Sequence, residues 1–348
     1  MLISGRAAAR RAKTHHRWRR LALWLLLAGC SSSPGGPSTP TSPTTAQPAR
    51  TSAGTTARQI SRPICGDLDH PPATWAHVIW IWMENRDYRH VVGNPRAPYE
   101  NSTLIARCGL ATNYHNITHP SLPNYLAATS GQILASGDCR PDACSTNAPS
   151  LFAQVRAAGK SWRAYQESMP ANCARTDSGP YAARHNPAVY YTPIAADCAR
   201  WDLPMGGASG NLAHDLRTGS LPDFAFITPN LCDDTHDCPV RTGDHWLATW
   251  VPRILASPAY QRASTVLVLT WDEGDSGGSG DCARNTTEPG CHVATVVVSP
   301  TTRASTRSGT LFDHYSLLKT TEQLLGLPAS LGHAADPSTT SMRTAFNL

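Results

Sequence analysis

Two seven-residue stretches, His77–Met83 (HVIWIWM) and Thr265–Trp271 (TVLVLTW), restrict what this chain can become more than any other feature. A strand wetted on one face alternates apolar and polar side chains. These two are almost continuously apolar, rich in β-branched and aromatic residues, as expected of parallel strands buried on both faces by helices. Each run stops abruptly, the first at Glu84-Asn85 and the second at Asp272-Glu273. Ligand groups in open α/β sheets gather at the carboxyl ends of strands, so these four residues stand where a site would form.

The rest of the chain fits the same scheme. Ser161–Tyr165, Asp223–Thr228 and His292–Val298 read as further strands, and 102–108, 150–159, 243–255 and 314–326 as helices, two of them with a glycine stop. Strands alternating with helices over roughly 285 residues predict an α/β fold with a mostly parallel central sheet and helices on both faces. Residues 169–210 are loop-rich and carry little chemical signal.

Thr118-His119-Pro120-Ser121-Leu122-Pro123-Asn124-Tyr125-Leu126 places a hydroxyl where a helix should begin. Proline is excluded from helix interiors but welcome in the first turn, so Ser121 reads as an N-cap and 124–129 as the helix. Unpaired N–H groups at such an end favour anions, which points to attack on a phosphate. Glu84, Asn85, Asp272 and Glu273 would make an oxygen-rich cage for one divalent cation, with Ser121 as a further ligand. The donor set leaves Mg, Ca, Mn and Zn open. His119 is placed by sequence to assist.

Six ordered motifs now stand together: Glu84-Asn85-Arg86, the Thr118–Leu126 segment, Asp234-x-His236-Asp237, Gly243-Asp244-x-Trp246-Leu247, Thr270-Trp271-Asp272-Glu273, and His314-Tyr315 with Glu322-Gln323. Between about residues 75 and 328 the chain resembles the bacterial phosphoesterase family of acid phosphatases and phospholipases C. The nearest likeness is to secreted acid phosphatases acting on phosphoinositides. The resemblance implies an alkaline-phosphatase-like α/β/α sandwich and a phosphoric ester hydrolase that works through a phosphoserine. It further implies Ser121 as nucleophile, Glu84, Asn85 and Asp272 as metal ligands, and Asn124 on a phosphate oxygen. His236 would steady the phosphate or protonate the leaving alkoxide, and Asp237 and Glu273 would take part nearby. A phospholipase C-type phosphodiesterase and a non-catalytic surface binding protein of the same fold are the alternatives. Gly274-Asp275-Ser276-Gly277-Gly278 also fits the strand-end nucleophile elbow of esterases, but that motif needs a helix immediately after its serine, and here the residues that follow are polar and glycine-rich.

The ends of the chain set compartment and partners. Seven of the 30 basic residues precede residue 21 and no acid does, leaving 23 bases against 25 acids thereafter, so the formal +5 reflects the leader. No basic field remains for a nucleic-acid partner. The basic run precedes a short apolar core and Leu27-Ala28-Gly29-Cys30, which resembles a bacterial lipobox with Cys30 as the lipidated residue. The expected organisation is a signal peptide over 1–29, a Pro/Ser/Thr-rich disordered tether over 30–61 and a phosphoesterase domain over 62–348. The product would be exported and lipid-anchored at the outer face of the cell membrane, with a phosphate ester as substrate. Of 11 cysteines, ten remain after Cys30, and their spacing suggests neighbour pairs: Cys65 with Cys108, Cys139 with Cys144, Cys173 with Cys198, Cys232 with Cys238 and Cys282 with Cys291.

Overall fold

The computed structural model describes residues 63–278, 280–283 and 287–348. The expected signal peptide, the tether and Cys30 lie outside them. Among the described residues are ten strands: β1 His77–Met83, β2 Gly109–Ala111, β3 Tyr114–His115, β4 Trp162–Gln166, β5 Asp202–Pro204, β6 Phe224–Thr228, β7 Thr265–Trp271, β8 Thr295–Val298, β9 Arg307–Ser308 and β10 Phe312–Asp313. Eight form one sheet in the order β5-β4-β6-β1-β7-β8-β2-β9, and β10 pairs with β3 in a small second sheet.

The two apolar runs are adjacent central strands. β1 and β7 pair in parallel, in register from His77 opposite Thr265 to Met83 opposite Trp271. Both therefore end at the same level, and Glu84 and Asp272 leave the sheet side by side. β6 flanks β1 on the other side, also parallel, so that its following loop arrives at the same edge.

Alternation along β1 sorts its side chains onto two layers. Trp80 and Trp82 point one way, stacked with ring centroids 5.7 Å apart, and meet Phe224 and Phe226 of β6. The Ser121–Ser130 and His314–Leu324 helices cover this face, where Trp80 donates to Thr321 Oγ1 at 3.0 Å and Trp82 packs on Tyr125 and His314. Met83 points the other way, towards the Val240–Leu255 helix. This is the three-layer α/β/α sandwich expected, with a mostly parallel sheet.

Three local expectations change. β8 is shorter than His292–Val298 and runs antiparallel to both neighbours. A parallel return needs a crossover helix, which the polar, glycine-rich segment after β7 does not supply. The helix placed at 102–108 is a π-helix over Glu100–Ile105. Ser121 is the first helical residue, not the N-cap; Pro120 occupies that place with extended backbone. The serine hydroxyl is thereby released from capping its own helix.

All five cysteine pairs read from spacing are present as disulfides. Among the described residues no helix is long and apolar enough to cross a membrane.

The Ser121–Ser130 helix is wholly buried and ends at Gly131, whose φ is +73° and whose N–H returns to Ala127 O. A Cβ there would lie 2.2 Å from Leu331 O. Gly131→Ala should cost about 2–4 kcal/mol through left-handed strain and overlap, read as a lower denaturation midpoint with an unchanged m-value.

Candidate active site

The helix start carrying Ser121 meets the carboxyl ends of β1 and β7. Ser121 Oγ lies 3.1 Å from Glu84 Oε2 and 3.4 Å from Glu273 Oε1, and the side chain is buried. Tyr125, one helical turn on, donates to Glu84 Oε1. Asp272 joins the same cluster: its Oδ1 accepts from Asn85 N at 3.1 Å, and its charge acts on Glu84. Asn85 reaches this position with φ at +45°, a left-handed conformation that Asn tolerates better than most residues. The structure thus brings together all five residues expected around a cation: Glu84, Asn85, Ser121, Asp272 and Glu273.

Two further residues join them: Asp234, which the sequence marks only as part of a motif, and His185, which it does not mark at all. The loop after β6 supplies Asp234, and the short 3-10 turn Ala183–His185 supplies His185, buried between Glu84 Oε2 and Asp234 Oδ2 at 3.4 Å from each. That turn lies in the segment judged poor in chemical signal. Arg-His-Asn in a loop has no periodicity or flanking motif to mark it, and only the tertiary fold places it.

Four acids gathered away from water repel one another. Burial, then the charges of Asp272 and Asp234, raises the pKa of Glu84 well above the ordinary carboxylate value, against the hydrogen bond from Tyr125. Burial and Glu273 do the same to Asp272, and burial leads the rise at Asp234. Glu273 is raised by burial too, opposed by His119. His185 is lowered well below its usual value by burial, then by Arg184 and His236, so it stays neutral between its acids. Asp272 Oδ2, Asp234 Oδ2 and Asn85 Oδ1 are buried without a hydrogen-bond partner. An oxygen-lined pocket whose acids repel and whose acceptors go unsatisfied has the chemistry of a divalent cation site. A partly overlapping group, Glu84, His185 and His236, also presents ligand atoms within 4.8 Å of one another.

The remaining expected residues ring this centre. His119 Nδ1 lies 2.7 Å from Glu273 Oε2, while its Nε2 is buried without a partner. Asn124 latches the 117–120 loop: Oδ1 accepts from Ile117 N and Thr118 N, and Nδ2 donates to Thr118 O, lying also 3.5 Å from Glu273 Oε2. His236 Nδ1 bonds Asp237 Oδ1 at 2.7 Å, and its Nε2 accepts from Arg184 at 3.2 Å. Asp237 itself is largely exposed and reaches the centre only through His236. His314 supports the site from beneath, its Nε2 bonded to Asp272 O at 2.7 Å. Ser276, the esterase candidate, bonds Asp87 Oδ2 at 2.5 Å, and among the described residues no α-helix begins directly after it.

The loop between Asp234 and His236 is held under strain. Thr235, β-branched, adopts φ of +82° and donates to Glu84 O at 2.7 Å, while the Cys232–Cys238 disulfide closes the loop. Gly243 makes room for it: a Cβ at that position would lie 2.4 Å from Thr235 Cγ2 and 2.8 Å from Met83 Cε. Alanine normally improves a helix interior by about 0.5–1 kcal/mol over glycine. Here Gly243→Ala should instead lower stability, because the displaced Thr235 carries Asp234 and His236 with it; a melting temperature below that of wild type checks this.

A family model described as the Phosphoesterase family matches residues 96–328. The chain is 30% identical to a phosphatidylinositol-3-phosphatase of Mycobacterium tuberculosis over 76% of its own length and 81% of that protein's. It is 29% identical to a probable acid phosphatase of Kluyveromyces lactis and 28% to an acid phosphatase of Aspergillus fumigatus, over 74% and 72% of this chain. It spans only 59% and 55% of those two fungal proteins. Among solved structures, an alkaline phosphatase superfamily protein from Vibrio parahaemolyticus superposes with a TM-score of 0.51 at 11% identity, covering 78% of this chain and 72% of the other. The lipoteichoic acid synthase LtaP of Listeria monocytogenes gives 0.52 at 10% identity, covering 76% and 75%. These last two establish shared architecture alone. With its family model matched over most of the described chain, the protein belongs to the phosphoesterase family.

Proposed function

We propose that the protein is a metal-dependent phosphomonoesterase of the acid phosphatase type that works through a phosphoserine at Ser121. One observation carries the reading: a buried serine hydroxyl at a helix start, 3.1 Å from Glu84, inside a cluster of acids with unsatisfied oxygens. Glu84, Asn85, Ser121, Asp272 and Glu273 would hold one divalent ion, with Asp234 and His185 close behind. Such an ion lowers a hydroxyl's pKa and offsets the charge of a phosphoryl group.

The chain's own residues then divide the work. Ser121 gives its proton to the Glu84 carboxylate it already faces, and Oγ attacks phosphorus in line. The bond from phosphorus to the leaving oxygen breaks, and His236 or His119 protonates the departing alkoxide. Water hydrolyses the phosphoserine in the reverse sense, returning the proton to Ser121. Asn124 keeps the 117–120 loop, and hence Ser121 and His119, in place. The phosphatidylinositol-3-phosphatase likeness makes phosphoinositide monoesters the favoured substrates. Export and lipid anchoring at Cys30 belong to the same proposal and suit a lipid phosphate substrate.

Ser121→Ala should lower nitrophenyl phosphate hydrolysis about a thousandfold or more while leaving the melting temperature nearly unchanged. Labelled phosphate should be trapped on the wild-type chain by acid quench and absent from the variant. A diester cleaved faster than its matching monoester would move the reading to a phospholipase C-type activity.

Metal dependence has a pH signature. Acids with raised folded-state pKa values bind extra protons in the native state, so their stability contribution is complete below about pH 4 and is lost as pH rises. The buried histidines, lowered in the folded state, act oppositely: their contribution grows as pH rises and levels off about one unit above their usual value of about 6.5. In chelator the melting temperature should therefore fall as pH rises above the histidine range, and Asp272→Asn should flatten the fall. A flat wild-type profile would contradict the coupled acid cluster.

A further inference from the structure

The start of the Ser121 helix is poor in donors. Pro120 and Pro123 have no N–H, so the first turn offers those of Ser121 and Leu122. Leu122 N is already taken: it donates to Asp138 Oδ1 at 3.0 Å. The other oxygen of Asp138 lies 3.5 Å from Nε of Arg184, whose Nη2 meets His236. A side-chain carboxylate thus sits between a helix N-terminus and an arginine, one residue from the nucleophile, where an anionic substrate group would be held.

The backbone beside Asp138 is anchored while its side chain reaches towards solvent. Cys139 is tied to Cys144, and its carbonyl accepts from Tyr190 at 2.7 Å. The Asp138 side chain is 35% exposed. Asp138 and Arg184 also line a cavity of about 310 Å³ whose wall carries Arg140 and Arg175 as well as Asp177, so a displaced carboxylate has space to turn into and a wall of net positive charge.

We propose that Asp138 is an internal competitor for the phosphoryl group: it occupies the Leu122 N–H and Arg184 in the resting site, yields them to the substrate phosphate, and returns to expel inorganic phosphate. This rests on the phosphatase reading above and adds a residue that sets affinity for substrate and product. A carboxylate left beside a phosphate dianion repels it, so its removal tightens phosphate binding.

Asp138→Asn keeps an acceptor for Leu122 N–H while removing the charge; Asp138→Ala removes both. In the full chain, with the divalent cation that supports hydrolysis, both variants should bind inorganic phosphate about tenfold more tightly as a competitive inhibitor. KM for nitrophenyl phosphate should fall in step, and kcat should not rise. The rise in melting temperature on adding phosphate, which needs no turnover, should be larger in Asp138→Asn than in wild type. An unchanged inhibition constant, with only Asp138→Ala melting lower, would reduce Asp138 to a helix cap. A weaker inhibition constant would make it a support for Arg184. Either overturns the proposal. A wild-type chain that hydrolyses no phosphate ester with any cation would instead sink the phosphatase reading, and the melting measurement would still decide the role of Asp138.

Discussion

The register between two parallel strands is the constraint on which the rest depends. Because Met83 stands opposite Trp271, Glu84 and Asp272 emerge at one height on neighbouring strands, and Asp272 N bonds Met83 O across the join. A slip of one residue would turn the side chains of one strand to the opposite face from its neighbour's and separate the acids. Continuous apolarity fixes where these strands lie, and the aromatic face of β1 fixes how they are layered. Carboxylates this close and this buried are a cost that the fold bears at its most rigid point.

Around that edge the protein spends polar groups on holding backbone rather than on covering charge. Thr235 bonds Glu84 O, His314 bonds Asp272 O, and Asn124 ties the 117–120 loop. Asp272 Oδ2, Asp234 Oδ2 and Asn85 Oδ1 are left buried without hydrogen bonds. Held backbone with unsatisfied side-chain acceptors is the arrangement expected of a site completed by a ligand, and two of its residues, Asn85 and Thr235, adopt positive φ.

What could be read from the sequence follows from how local each signal is. Buried strands announce themselves by composition, so β1 and β7 and the acids at their ends were legible, as was the helix start at Ser121, marked by its prolines. Short disulfide loops likewise follow from spacing. The direction of β8 was not legible, because a four-residue strand carries no trace of its orientation; the missing crossover helix decides it. The role of Ser121 as first helical residue rather than cap depends on the backbone of Pro120. His185, Arg184 and Asp138 come from loops whose positions are set by packing and disulfides, with no periodicity to reveal them. Gly243 looked like part of a helix motif, and only the close approach of Thr235 explains why it lacks a side chain.

The central claim is that the acids at the ends of β1 and β7 form, with Ser121, a cation site that is protonated when empty. Calorimetric titration of the chelator-stripped protein with a divalent cation, run at pH 7 in two buffers of different ionisation enthalpy, tests it directly. The account predicts saturable binding at one site with release of at least part of a proton, abolished by Glu84→Gln combined with Asp272→Asn. Binding without proton release, or binding that survives the double substitution, would contradict it.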